Sequence, residues 1–167
     1  MHYMLSKARQ WRRSALIKEI GMGVLKVDNV THWSIPVNDL EEAEKFYRDV
    51  LGLEYKGRLG NTTMACFTVA EHSILLCQRK EPLVRTPEQD GRAHHAFTVS
   101  TEVFEKACQL FHELGIRLVQ PIVYREHGVF LGRELYFLDP SGNMLELRDP
   151  TWKPGMPTPT YEEIARS

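Results

Sequence analysis

Two histidines and one glutamate stand at comparable places in the chain. His32 begins the run HWSIPV, His94 begins HHAFTV, and Glu146 lies between two leucines in NMLELRD. Two imidazoles and one carboxylate form the ligand set of open transition-metal sites. A carboxylate among apolar residues is costly to bury unless a positive group meets it. The three residues therefore predict a shared divalent metal, with an ion pair from Glu146 to Arg133 or Arg148 as the alternative.

Two similar halves of the sequence would position these side chains. In the first half, an alternating strand precedes a turn at Asp39 and an amphipathic helix that stops at Gly52. In the second half, Ser100 begins a helix that stops at Gly115, and β-rich runs follow each helix. Each half is therefore predicted to be βαβββ. If the halves pack about a pseudo-twofold axis, their first strands are equivalent and the two histidines approach each other.

A chain of 167 residues can bury the core of a single domain. Its first residues are rich in Lys and Arg and lack the apolar core of a secretory signal, which favours a surface helix over a transit peptide. Met22 is an alternative start. The predicted segments are a basic N-terminal extension (1–28), one domain (29–149) with modules 29–80 and 92–149, and a C-terminal tail (150–167).

Composition excludes several classes of partner. The formal net charge is −1 with both signs interspersed, so no strong field attracts nucleic acid or an anionic membrane. No segment is apolar over the length needed to span a bilayer. We therefore expect a small-molecule substrate. Cys66, Cys77 and Cys108 lie far apart in apolar surroundings, which predicts buried thiols and a cytoplasmic location.

Most of the chain resembles the vicinal oxygen chelate superfamily, which includes glyoxalases, bleomycin-resistance proteins, fosfomycin-resistance thiol transferases and extradiol dioxygenases. The matching stretches are THWSIPVNDLEEAEKFYRDVLGL, AHHAFTVS and YFLDPSGNMLEL. The resemblance implies an α+β fold in which two βαβββ modules form a cupped mixed sheet. It also implies a homodimer, because small members of the superfamily usually pair modules edge to edge. The apolar side chains of the C-terminal tail could instead fold back on their own chain.

The resemblance places His32, His94 and Glu146 on the family's metal ligands. His94 is preferred to its neighbour because the family ligand stands three residues before the phenylalanine of HAF. Members with four ligands carry Glu or Gln where this chain has Leu75 or Leu76, unless a shifted register brings in Gln78. Three ligands leave open positions, which suits substrate or dioxygen binding at non-haem Fe(II). Fe(II) is therefore the first choice, with Mn(II), Zn(II) and Ni(II) as alternatives.

The segment from His127 to Glu146 is also similar to the extradiol dioxygenase signature. If the residues of that signature have the same roles here, His127 would hydrogen-bond the substrate and Tyr136 would stabilise a substrate oxygen or intermediate. Ser34, which shares a strand face with His32, is expected to bind substrate. Arg125 departs from the signature, and the acid–base histidine that extradiol enzymes carry in the first half has no counterpart here.

These features predict a metal-dependent dioxygenase that acts on a small catechol-like substrate. One alternative is a thiol transferase of the fosfomycin-resistance type, or a lyase or isomerase of the glyoxalase type. Another is a metal-free sequestering protein, as in bleomycin resistance. The presence of bound metal would discriminate the last alternative from the enzymes.

The turn DPSGN decides whether Tyr136 and Glu146 share a face. A two-residue loop would set Tyr136 opposite Leu145, whereas a three-residue loop of residues 140–142 sets it opposite Glu146. Pro suits the first turn position, and Gly142 can adopt the left-handed conformation that the three-residue hairpin requires. We therefore predict a positive φ at Gly142 and Tyr136 on the metal side of the sheet.

Overall fold

The protein is described here by a computed structural model. Residues His32–Ser167 form one compact unit, the second unit of the chain, and it contains all the helices and strands given below. The predicted N-terminal extension, residues 1–28, lies outside the described residues. The structure describes residues 29–60, 63–84 and 93–167.

The elements of the second unit repeat one order, strand–helix–strand–strand–strand, and this confirms the predicted βαβββ modules. In the first half they are β1 (His32–Val37), α1 (Leu40–Lys45) continued by a π-helical turn (Phe46–Val50), β2 (Glu54–Arg58), β3 (Met64–Val69) and β4 (His72–Gln78). In the second half they are β5 (His95–Thr98), α2 (Thr101–Leu114), β6 (Val123–Arg125), β7 (Gly132–Leu138), β8 (Met144–Asp149) and a C-terminal α3 (Tyr161–Ala165).

The described strands form two four-stranded mixed sheets, in the orders β1-β4-β3-β2 and β5-β8-β7-β6. In each sheet the first strand runs parallel to the last, and the other pairs are antiparallel. The α+β prediction is therefore confirmed, with two separate sheets in one chain. Because the first strand of each half lies at a sheet edge, β1 and β5 are both edge strands.

Side-chain caps set the helix ends where the sequence predicts them. The Asp39 carboxylate accepts a hydrogen bond from the Glu42 amide and begins α1. The Ser100 hydroxyl accepts from the Val103 amide and begins α2. The second helix ends at Gly115, whose φ of 67° is left-handed and suits glycine. Along α2 the apolar residues recur with helical spacing, so one face packs into the core.

One apolar core joins the two halves. In β1, Ile35 is buried, whereas His32 and Ser34 lie on the opposite face and are exposed. The ring centroids of Phe46, after α1, and Phe137, on β7, lie 6.4 Å apart. Burying a side chain of this size stabilises a fold by about 1.5–3 kcal/mol. The halves therefore pack through the faces opposite to His32 and Ser34.

The C-terminal tail folds back on its own chain, which was the alternative to its use in a dimer. Trp152 is 3% exposed, and its indole donates a hydrogen bond to the Pro157 carbonyl oxygen. Ile164 of α3 is 5% exposed and belongs to the core. Met156 is 48% exposed, and its Sδ accepts a hydrogen bond from the Lys153 amide. The tail is therefore a structural part of the second unit.

Two local expectations need correction. One of the β-rich runs predicted after the second helix, RLVQPIVY, forms only the short strand Val123–Arg125 and a single bridge from Leu118 to Phe137, because Pro121 lacks the amide N–H that a longer ladder requires. Of the cysteines, Cys108 is buried and burial raises its pKa to about 12, but Cys66 and Cys77 are half-buried. In the described part of the chain, no helix has the length and apolar character to cross a bilayer.

Candidate active site

Strand pairing brings the chemically active side chains to one face of the second sheet. Tyr136 lies directly opposite Glu146, and Glu134 directly opposite Arg148, in the antiparallel pair β7–β8. In the parallel pair β5–β8, Ala96 is the partner of Glu146. Since paired residues share a face and side chains alternate along a strand, the residue two before Ala96, His94, points to the same side.

His94 is the partner of Glu146 within one chain. The His94 Nε2 and Glu146 Oε2 atoms are 3.0 Å apart, and the side chains are 34% and 5% exposed. The Tyr136 ring meets the His94 ring edge-on, with centroids 5.7 Å apart. His95 instead pairs with Leu145, on the other face. The geometry thus places His94 rather than His95 beside the buried carboxylate.

The alternative arginine partners of Glu146 are engaged elsewhere. Arg133 is buried and pairs with Asp149, with Nε and Oδ2 2.9 Å apart, and with Glu105 at 3.1 Å. Arg148 donates a hydrogen bond to the Leu131 carbonyl oxygen. The ion pair considered from the sequence is therefore wrong, since the group that faces Glu146 is an imidazole.

A second buried carboxylate, Glu134, lies beside Tyr136. The Tyr136 hydroxyl donates a hydrogen bond to Glu134 Oε2 at 3.0 Å. Arg125 donates to both carboxylate oxygens at 2.7 Å, and the Arg148 Nε lies 4.0 Å from Oε1. Glu134 is only 2% exposed. This network of polar contacts therefore adjoins the His94–Glu146 pair through Tyr136.

Burial and hydrogen bonding act on the pKa values of this network. Burial by itself would raise the pKa of Glu134, but the hydrogen bonds from Arg125 and Tyr136 outweigh it and hold the pKa below its ordinary value. Burial raises the pKa of Tyr136, and the carboxylates of Glu134 and Glu146 raise it further. At neutral pH the phenol is therefore protonated and the Glu134 carboxylate is charged.

Sequence reasoning missed Glu134 and treated Arg125 only as a departure from a signature. One signal was available: in GRELYF, Glu134 precedes Tyr136 by two residues and must share its strand face. The partner could not be identified in the same way, because Arg125 comes from a separate strand, β6. Only the β6–β7 pairing places the two side chains together.

The turn prediction is confirmed. The Asp139 amide donates to the Asn143 carbonyl oxygen at 2.9 Å, which closes a three-residue loop, and Gly142 has a φ of 82°. The first half of the chain holds this turn in place. The Tyr47 hydroxyl donates to Asp139 Oδ2 at 3.0 Å, and the Asn143 side-chain Nδ2 donates to the Pro36 carbonyl oxygen at 3.0 Å.

Three predicted residues lie apart from this cluster. His32 and Ser34 are exposed on the edge strand β1, and His127 is exposed in the β6–β7 connection. In the ranges that the structure describes, no group of three His, Cys, Asp or Glu side chains is arranged to hold a metal. One chain therefore brings His94, Glu146 and Tyr136 together and does not bring His32 to them.

A cavity of about 460 Å³ adjoins His94. Its walls come from both halves of the chain, including Trp33 of β1, His72 of β4 and Phe97 of β5. The rings of Trp33 and His72 meet edge-on, with centroids 5.1 Å apart. The cavity is mostly aromatic and apolar, which suits a small organic ligand.

The chain belongs to the Glyoxalase/Bleomycin resistance protein/Dioxygenase superfamily, whose model matches residues 29–147. Glutathione transferase FosA of Serratia marcescens is 28% identical over 121 residues, which cover 72% of this chain and 80% of that protein. Biphenyl-2,3-diol 1,2-dioxygenase 3 of Rhodococcus globerulus is 34% identical over 125 residues, 71% of this chain and 62% of that protein. The crystal structure of a glyoxalase/dioxygenase from Nostoc punctiforme has a TM-score of 0.62 at 26% identity, covering 77% and 97% of the two chains. The predicted superfamily and fold are confirmed.

Proposed function

We propose that this protein is a metal-dependent enzyme that holds one divalent cation at His94 and Glu146. The observation that carries the proposal is the 3.0 Å approach of His94 Nε2 to Glu146 Oε2 on one sheet face. Imidazole nitrogen and carboxylate oxygen are ligands of open transition-metal sites, and a buried carboxylate gains most from a cation. The donor set therefore fits a metal ion.

A second copy of the chain supplies the third ligand, His32. Within one chain His32 is exposed on an edge strand. The other edge strand, β5, begins beside His94, so pairing β1 of one copy with β5 of the other would carry His32 to the His94–Glu146 pair. A twofold axis would repeat the contact and form two equivalent sites in a homodimer.

The bound cation would polarise and orient a substrate oxygen. The chain's own residues then define the remainder of the site. Tyr136 places its hydroxyl beside Glu146, and Ser34, on the same strand face as His32, would contact the substrate from the second copy. The apolar cavity next to His94 would take the carbon skeleton of a small molecule.

The reaction that we favour is the addition of a thiol to an electrophilic epoxide, with Mn(II) as the cation. The sulfur forms a bond to an epoxide carbon while the bond from that carbon to the epoxide oxygen breaks, and the oxygen takes up the proton that the thiol releases. Similarity to the glutathione transferase FosA over 80% of its length supports this assignment. The sequence prediction placed ring cleavage first, and the similarity to FosA is our reason for proposing thiol transfer ahead of it.

Ring cleavage by an extradiol dioxygenase with Fe(II) is the second candidate. The observation in its favour is the register that sets Tyr136 opposite Glu146 within the signature segment. The 34% identity to a biphenyl-diol dioxygenase also supports it. In this reaction His127 would have to reach the substrate from the exposed β6–β7 connection.

Metal analysis followed by two assays tests the proposal. Protein purified without oxygen should contain or take up one Mn(II) or Fe(II) per chain, measured by elemental analysis. With Mn(II) and glutathione, NMR should detect the thiol adduct of an epoxide that also carries a hydroxyl group, such as glycidol, with fosfomycin as the comparison epoxide that has none. Oxygen uptake with catechol and no thiol adduct would instead select the dioxygenase. Failure to bind any of Mn(II), Fe(II), Zn(II) or Ni(II) would overturn the metal site and favour a sequestering protein.

Mixing two inactive variants tests the shared site. His32→Ala and Glu146→Gln homodimers should each lack stoichiometric metal. A heterodimer of the two should regain one intact site, made of His32 from the Glu146→Gln chain with His94 and Glu146 from the other. No recovery after unfolding and refolding the mixture, under conditions that restore the wild type, would contradict a site between copies.

A further inference from the structure

The phenol of Tyr136 has one proton, and in this fold that proton is already directed to a side chain. The hydroxyl donates to Glu134 Oε2 at 3.0 Å. Arg125 holds the same carboxylate through two hydrogen bonds of 2.7 Å. Because Glu134 is 2% exposed and paired at both oxygens, its position is well defined. Neither Glu134 nor Arg125 has a role in the metal site proposed above.

We infer that Glu134 is a positioning residue that makes Tyr136 a hydrogen-bond acceptor toward the substrate, so that the substrate carries a hydroxyl group where it meets Tyr136. A phenol oxygen has one donor and two acceptor positions. A charged carboxylate is a stronger acceptor than a neutral substrate oxygen, so it keeps the proton. What Tyr136 then offers to the site is a lone pair. The inference rests on the site proposed above and specifies its substrate class.

The first half of the chain offers a matched control of the same composition. The Tyr55 hydroxyl donates to Glu44 Oε1 at 3.1 Å, and Arg58 donates to both Glu44 oxygens at 2.9 Å. This triad joins α1 to β2 and lies outside the proposed site. Glu44→Ala therefore removes an equivalent set of hydrogen bonds without touching Tyr136.

Raman spectroscopy tests the orientation of the Tyr136 proton directly. The intensity ratio of the tyrosine ring doublet distinguishes a phenol that donates from one that accepts a hydrogen bond. The wild-type spectrum minus that of Tyr136→Phe isolates the Tyr136 contribution in the full-length protein without metal. We expect a donor pattern in the wild type and in Glu44→Ala, a weakened one in Glu134→Gln, and its loss in Glu134→Ala. An acceptor-only or unbonded pattern in the wild type would overturn the inference. The wild-type measurement requires neither bound metal nor a folded Glu134 variant.

Two small probes test the consequence for binding in Mn(II)-loaded protein. Glycolate presents a hydroxyl next to a metal-binding carboxylate, and methoxyacetate presents the same group with the proton replaced by methyl. Glycolate should bind several-fold tighter and shift the Tyr136 doublet to a donor-and-acceptor pattern. The ratio of the methoxyacetate Kd to the glycolate Kd should fall toward one in Tyr136→Phe and Glu134→Ala, and should stay at its wild-type value in Glu44→Ala. Equal binding of the probes by the wild type would refute the substrate class, whereas failure to load Mn(II) beside an intact donor pattern would refute the proposed function alone.

Discussion

Tyr136 and Glu146 lie directly opposite each other on β7 and β8. The three-residue turn of residues 140–142 produces this register, and a loop shorter by one residue would send the phenol to the other face of the sheet. The pairing therefore puts a protonated phenol beside a buried carboxylate that also faces His94. Because of this pairing, the proposed metal ligand Glu146 and the proposed substrate contact Tyr136 lie side by side on one face of the sheet.

Replacing Tyr136 with phenylalanine should separate metal binding from turnover. The variant keeps the ring against His94 and loses only the hydroxyl, so one metal per chain should remain. We expect kcat/KM to fall by about 100- to 1,000-fold, the range typical of losing one hydrogen-bonding group in an active site. Elemental analysis measures the metal content, and steady-state kinetics measures turnover. Unchanged kinetics would remove Tyr136 from the mechanism.

Substitution of the two adjacent histidines should have opposite effects on metal content. His94 faces Glu146, whereas His95 pairs with Leu145 on the other side of the strand. His94→Ala should abolish stoichiometric binding, and His95→Ala should retain it, as measured by calorimetric titration with Mn(II). The reverse result would show that the face assignment of β5 is wrong.

Gly142→Val should destabilise the protein through the turn. Gly142 has a φ of 82°, and a β-branched residue in that region costs about 1–3 kcal/mol. We expect the free energy of unfolding to fall by this amount in urea titrations, together with the metal affinity. Gly60→Val is the control, because an added Cβ at Gly60 has no neighbour within 4 Å and its φ is not positive. Equal losses in both variants would argue against strain in the turn.

Glu134→Gln should change the dependence of stability on pH. Folding lowers the pKa of Glu134 below its ordinary value of 4.5, since the Arg125 and Tyr136 hydrogen bonds outweigh the effect of burial. A carboxylate of this kind stabilises the native state above its unfolded-state pKa, and the stabilisation is lost as pH falls through the folded-state pKa. The wild type should therefore have a larger free energy of unfolding than Glu134→Gln at neutral pH, and this difference should shrink below about pH 4. Urea unfolding across this range measures it, and Glu113→Gln on the exposed side of α2 controls for net charge. A constant difference would show that Glu134 does not titrate as described.

Local sequence determined the modules and the turn. Asp39 and Ser100 begin the helices, Gly115 ends the second, and DPSGN makes the three-residue hairpin, because capping and turn chemistry depend on a few neighbouring residues. The alternation of side chains along β8 also placed Glu146 on one definite face. These features could be predicted because each depends on contacts within a few residues along the chain.

Tertiary structure decided what each functional side chain meets. Glu146 meets His94 rather than an arginine, Glu134 meets Arg125 from another strand, and His32 remains exposed on an edge strand of the same chain. Alternation within a strand fixes the face of a residue but says nothing about which other strand supplies its neighbour. That choice follows from how the two sheets pack across the shared core, since the halves bury the faces opposite to His32 and leave the edges β1 and β5 to a second copy in the proposed dimer.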